Sequence, residues 1–104
     1  MKVLLVDDHP LILAALRSVI KGLGDDVTVV GAGTEREARE ALKRDPDFDL
    51  VLLDMMMPDL SGLEVLAHVR SRYSQGSLPV IMVTAKSDSE DVVEALNLGA
   101  NDYI

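Results

Sequence analysis

The chain has 104 residues, with 10 Lys+Arg against 18 Asp+Glu and a formal charge of −8. That length suits one domain with one ordinary core, and 48% apolar residues exclude disorder from low hydrophobicity. The negative balance argues against this domain holding a nucleic-acid backbone or an anionic membrane, and the absence of Cys removes disulfides, zinc–thiolate sites and thiol catalysis.

Met1-Lys2 leads into only four apolar residues, Val3 to Val6, before Asp7-Asp8. An export signal needs an apolar stretch of about 7–15. No run approaches the roughly 18 apolar residues of a membrane span, so the reading is a soluble, cytoplasmic chain. Val3-Leu4-Leu5-Val6 is apolar on both faces and predicts a buried strand. A helix follows, with Ile12, Leu16, Val19, Ile20 and Leu23 as its stripe and Pro10 in its first turn, where the missing N–H is harmless.

Val27-Thr28-Val29-Val30 predicts the second strand. Thr34-Glu35-Arg36-Glu37 is a capping box, with Ala38, Ala41 and Leu42 as the apolar face behind it and Asp45-Pro46 as the stop. Leu50-Val51-Leu52-Leu53 predicts the third strand. Ser61-Gly62-Leu63-Glu64 is a second box, opening a helix that buries Leu63, Leu66, Ala67 and Val69. Val80-Ile81-Met82-Val83 predicts the fourth strand. Ser87-Asp88-Ser89-Glu90 is a third box, with Val92, Val93, Ala95 and Leu96 behind it and Gly99 placed to end that helix. Asp102-Tyr103-Ile104 starts a fifth strand.

Strands separated by single helices predict a doubly wound α/β domain, with a parallel sheet and right-handed crossovers. Such sheets carry their chemistry at the carboxyl ends of the strands. Asp7-Asp8, Asp54, Thr84 and Tyr103 all fall there. Two carboxylates ~4 Å apart repel by roughly 4 kcal/mol at an effective dielectric near 20, so a proton or a cation must relieve them. Oxygen ligands without Cys or His suit Mg²⁺, and a carboxylate left beside the metal can act as a nucleophile toward phosphorus. Each residue alone also reads blandly, Asp8 as a turn former before His9-Pro10, Asp54 as a loop residue and Thr84 as a strand-end hydroxyl. Their convergence outweighs those readings. His9 reads as a turn residue and His68 as part of a solvated face with Arg70 and Arg72. Met55-Met56-Met57 reads as packing under a loop, and Phe48 and Tyr73 as rim packing.

Across essentially its whole length the chain resembles the receiver domains of two-component response regulators. The resemblance is carried by Val3-Leu4-Leu5-Val6-Asp7-Asp8, by Leu52-Leu53-Asp54-Met55-Met56-Met57-Pro58-Asp59-Leu60-Ser61-Gly62, by Pro79-Val80-Ile81-Met82-Val83-Thr84-Ala85 and by Gly99-Ala100-Asn101-Asp102-Tyr103-Ile104. It implies a five-stranded sheet in the flavodoxin-like order 2-1-3-4-5. It implies Asp54 as phosphoacceptor from a sensor histidine kinase or phosphotransfer protein, with Mg²⁺ held by Asp8, Asp54 and the backbone carbonyl of Met56, and by Asp7 indirectly. Thr84 and Tyr103 match the switch pair, and Ala85, Met56 and Lys86 flank the site. The Asp7-Asp8-His9-Pro10 start looks like receivers that precede a DNA-binding output domain, and the family often forms homodimers through its fourth and fifth helices.

The family's lysine after the aromatic of strand 5 and its last helix have no counterpart before Ile104. The expectation is therefore a receiver domain over 1–104, truncated within or just after strand 5 and with apolar surface uncovered on one sheet face. Two other readings remain open. An aspartate-nucleophile phosphohydrolase usually places a second Asp two residues after the first, where this chain has Met56. A receiver used only for docking would lose the chemistry that Asp8, Asp54 and Thr84 retain.

Overall fold

A computed structural model describes residues 1–7, 10–22, 24, 26–45, 47–54, 56–57, 60–83 and 89–103, with only the backbone described at 10, 12, 56, 57, 60–63, 89–92 and 103. The elements are β1 (Lys2–Val6), α1 (Pro10–Lys21), β2 (Thr28–Ala32), α2 (Glu35–Arg44), β3 (Leu50–Asp54), β4 (Met56–Met57), β5 (Leu60–Ser61), α3 (Gly62–Arg72), β6 (Val80–Val83), α4 (Ser89–Leu98) and β7 (Asp102–Tyr103). Five strands form a parallel sheet in the order β2-β1-β3-β6-β7, the expected 2-1-3-4-5 once the small antiparallel β4–β5 pair is set aside.

Side-chain alternation sorts the sheet into two faces. On one, Leu4, Val6, Ala32, Val51, Leu53, Val80 and Met82 join Ala38, Ala41 and Leu42 of α2, Val65, Leu66 and Val69 of α3, and Ala95 of α4 in a continuous core. Burying a side chain such as Leu42 or Leu53 contributes about 1.5–3 kcal/mol. On the other face Val3 and Leu5 are buried, whereas Leu50, Leu52 and Ile81 are half-buried. Leu13 and Arg17 of α1 lie against this face at Gly31, where a Cβ would meet Arg17 Nη2 at 2.8 Å.

The structure departs from the sequence expectations at several margins. The second strand begins at Thr28 and runs on through Gly31 and Ala32, because β1 offers it partners as far as Val6↔Ala32. Phe48 is not on the rim: it is 5% exposed and part of the core. Val19, Val93 and Leu96 are 66%, 54% and 40% exposed, and Ala67 is exposed too, so the buried stripes of α1, α3 and α4 are narrower than the periodicity suggested. Gly99 does end α4, with φ of 110°. The side chains of the Ser61 box, and Ser87-Asp88 of the third box, lie outside what is described.

Candidate functional site

Asp7 follows β1 and Asp54 closes β3, two strands that pair in parallel with Val3↔Leu50 through Val6↔Leu53. One step further along that register places positions 7 and 54 side by side at the carboxyl edge of the sheet. Paired strands run about 4.8 Å apart. The ladder on β1's other side also extends to Asp7, whose N–H donates to the Ala32 carbonyl at 3.0 Å. Asp7 is 4% exposed, the one buried charged residue among those described, and Asp54 is half-buried. Asp54 pairs on its far side with Val83 of β6.

The turn after β2 is held close to this edge. Thr34 Oγ1 accepts from the Glu37 N–H at 3.1 Å, the forward half of the capping box read from the sequence, while the Glu37 carboxylate reaches back one residue past the cap and accepts from the Gly33 N–H at 3.2 Å. A Cβ on Gly33 would sit 3.7 Å from the Asp7 carbonyl oxygen.

Asp7 and Asp54 are thus brought to one edge. Asp8, Thr84, Ala85 and Lys86 lie outside the described residues, as do the side chains of Met56 and Tyr103. The backbone of Tyr103 lies in β7, paired with Met82, and that of Met56 lies in β4 just past Asp54. Among the described residues no group of three or more His, Cys, Asp and Glu gathers as a metal site. Asp7 and Asp54 are hard oxygen donors of the kind that suit Mg²⁺, which takes one or two carboxylates and keeps several waters. Among the described residues no helix is long and apolar enough to cross a membrane.

Sequence reading missed the role of Arg70. It is not on a solvated face: its Nε donates to the Gly99 carbonyl at 2.6 Å, Nη1 to the Leu78 carbonyl at 2.8 Å and Nη2 to Asn101 Oδ1 at 2.7 Å. Asn101 Oδ1 also accepts from the Val80 N–H at 3.0 Å. The turn leading into β7 is therefore clamped to the end of α3 and the start of β6. Burial holds the Arg70 guanidinium below its ordinary value.

The family model described as the response regulator receiver domain matches residues 3–104. The chain is 40% identical over 108 residues to the DNA-binding response regulator MtrA of Mycolicibacterium smegmatis, an alignment covering 99% of this chain and 42% of that protein. It is 38% identical over 102 residues to the nitrate/nitrite response regulator protein NarL of Escherichia coli K12, covering 98% of this chain and 46% of that one. The chain thus spans less than half the length of these relatives. The crystal structure of the BeF3-activated N-terminal receiver domain of Klebsiella pneumoniae RstA superposes with a TM-score of 0.86 at 27% identity, covering 100% of this chain and 84% of that one.

Proposed function

The chain belongs to the response regulator receiver domain family, and from that premise we propose that Asp54 is its phosphoacceptor. The family role is a signalling one, not turnover of a metabolite. The observation that carries the assignment to this residue is the β1–β3 register, which sets Asp7 and Asp54 on adjacent strand ends at the sheet's carboxyl edge. An Asp54 carboxylate oxygen attacks the phosphorus of a phosphohistidine on a sensor kinase or phosphotransfer protein, or of a small acyl phosphate. The new P–O bond forms as the P–N or P–O bond to the leaving group breaks, and a leaving imidazole takes a proton.

Asp8, Asp54 and the Met56 carbonyl would hold Mg²⁺, with Asp7 acting on it indirectly. When bound, the ion neutralises charge on the phosphoryl oxygens. The product adds about −1.5 to −2 charges at Asp54. The Thr84 hydroxyl then donates to a phosphoryl oxygen and Tyr103 takes the space it leaves, a two-state element biased by local charge. Ala85 leaves the phosphate approachable, and Met56 and Lys86 govern access of water to it. The output is a fused DNA-binding domain, by analogy with the named function of MtrA, and the protein works in the cytoplasm.

The test is incubation with acetyl phosphate and Mg²⁺. One base-labile phosphate per chain is expected, and none in Asp54→Ala. Incorporation that persists in Asp54→Ala refutes the assignment. Steady phosphate release from an added phosphomonoester would point to a phosphohydrolase instead.

A further inference from the structure

Arg39, Leu42 and Lys43 of α2 and His68, Arg72 and Tyr73 at the end of α3 surround a cavity of about 190 Å³. In a chain of net charge −8, three cations around one opening reverse the local sign. Arg39 touches Glu35 one turn earlier, whereas among the described residues no ion pair involves Lys43 or Arg72. Leu42 is buried and Tyr73 packs against the core, so one wall is apolar and fixed.

We propose that this α2–α3 cavity binds a phosphate-sized oxyanion, either inorganic phosphate or the head of a small phosphomonoester, held between Arg39, Lys43 and Arg72. The planar donor fork of Arg72 matches oxyanion geometry, Lys43 adds a point charge, and Arg39, whose Nη2 contacts Glu35, adds positive charge from the α2 side. The volume equals about six waters at ~30 Å³ each, room for one tetrahedral anion with part of its hydration but well short of the ~300 Å³ at which drug-sized ligands begin to fit. His68 senses the field: burial first, then Arg39 and Arg72, hold its imidazole below the ordinary 6.5, with Glu35 opposing them. An anion in the cavity cancels the two arginine contributions.

The site is separate from Asp54. Helices α2 and α3 return from the carboxyl edge of a parallel sheet to its opposite edge, so Lys43, His68 and Arg72 in their C-terminal halves and Tyr73 just past α3 lie away from that carboxylate, with Arg39 at the middle of α2.

The experiment follows the His68 imidazole by NMR in the full chain, without Mg²⁺ or phosphodonor, as inorganic phosphate is added at constant ionic strength. A saturable rise in the His68 pKa is expected, and by linkage each unit of rise means about tenfold tighter binding to the imidazolium form. Lys43→Gln and Arg72→Gln, both exposed, are each expected to weaken binding about tenfold through loss of a charge-assisted contact, and Asp54→Asn is expected to leave it intact. Glycerol phosphate matching inorganic phosphate supports the phosphomonoester head, and a response to the free ion alone supports inorganic phosphate. A shift no larger than chloride gives, an undiminished response in Lys43→Gln/Arg72→Gln, or its loss in Asp54→Asn overturns the proposal.

Discussion

Arg70 lies directly across Gly99: its Nε donates to the Gly99 carbonyl at 2.6 Å, and a Cβ on Gly99 would meet Arg70 Cδ at 2.9 Å. The glycine is required twice, once for its φ of 110° and once for the approach of the arginine stem. Gly99→Ala is therefore expected to cost about 2–3 kcal/mol, from backbone strain and displacement of Arg70 together. Arg70→Ala, which abandons the Gly99, Leu78 and Asn101 acceptors, is expected to cost a similar ~2–3 kcal/mol. The double variant should cost about 1 kcal/mol less than the sum, because the clash disappears with Arg70 while the strain stays. Urea denaturation of the four proteins reads the coupling, and strict additivity would mean that the two residues do not share this contact. Arg70→Lys should fail to rescue, since one ammonium cannot span the three acceptors.

Thr34→Ala removes one half of the capping box that closes the turn beside Asp7. A loss of about 1 kcal/mol is expected, or roughly 5 °C in melting temperature for a chain of this size, with Thr34→Ser close to wild type. Thermal unfolding followed by circular dichroism measures both. An equal loss in Thr34→Ser would locate the effect in the methyl group rather than the cap.

These two sites show what the sequence could reveal. The Thr34–Glu37 box closes on backbone only a few residues away, so the string of residues contains the whole device. The run Val80 to Val83 is apolar on both faces and is bounded as read. Asp54 was placed at a strand end because the apolar run stops there. Arg70 was invisible by comparison: its acceptors are mostly carbonyls, brought to it by the meeting of α3 with the turn before β7, and any residue type supplies a carbonyl. The β4–β5 pair has two residues a strand, too short to show a period. Helical periodicity identified the stripes that hold Leu66, Val69 and Ala95 but overestimated their width, since only the packed neighbour decides whether a marginal residue such as Val19 or Val93 is covered.

The surroundings of His68 assign a sign to its part in the pH dependence of stability. Burial, then Arg39 and Arg72, depress its folded-state pKa below 6.5, while the unfolded chain titrates near that ordinary value. Below about 6.5 the unfolded state binds the proton more readily, so the stabilising contribution is complete above that pH and is lost as pH falls through the folded value. The slope should be shallow, because much of the side chain faces water. His68→Gln is expected to flatten the stability profile across this window and leave the carboxylate-driven loss at lower pH unchanged. An unchanged profile between wild type and His68→Gln would show that the imidazole titrates alike in both states.

Asp7 tests the metal assignment without touching the acceptor. Its side chain is buried where β1 meets the turn after β2, so a near-isosteric Asp7→Asn keeps the volume while removing the charge and turning one acceptor oxygen into a donor. If Asp7 acts on Mg²⁺ through the residues that bind it, affinity should fall by about 10–100-fold, the range typical of groups that orient a metal's direct ligands. Titration with Mg²⁺, read by backbone amide shifts near Asp54, measures this, with the exposed Asp47→Asn as a charge-matched control. Phosphate incorporation from acetyl phosphate should slow at low Mg²⁺ and recover when the ion is raised in proportion. That recovery separates weakened metal binding from a damaged acceptor, because a damaged acceptor would stay slow at every Mg²⁺ concentration. Equal Mg²⁺ affinities in Asp7→Asn and Asp47→Asn would remove Asp7 from the site and leave the ion to Asp8, Asp54 and the Met56 carbonyl.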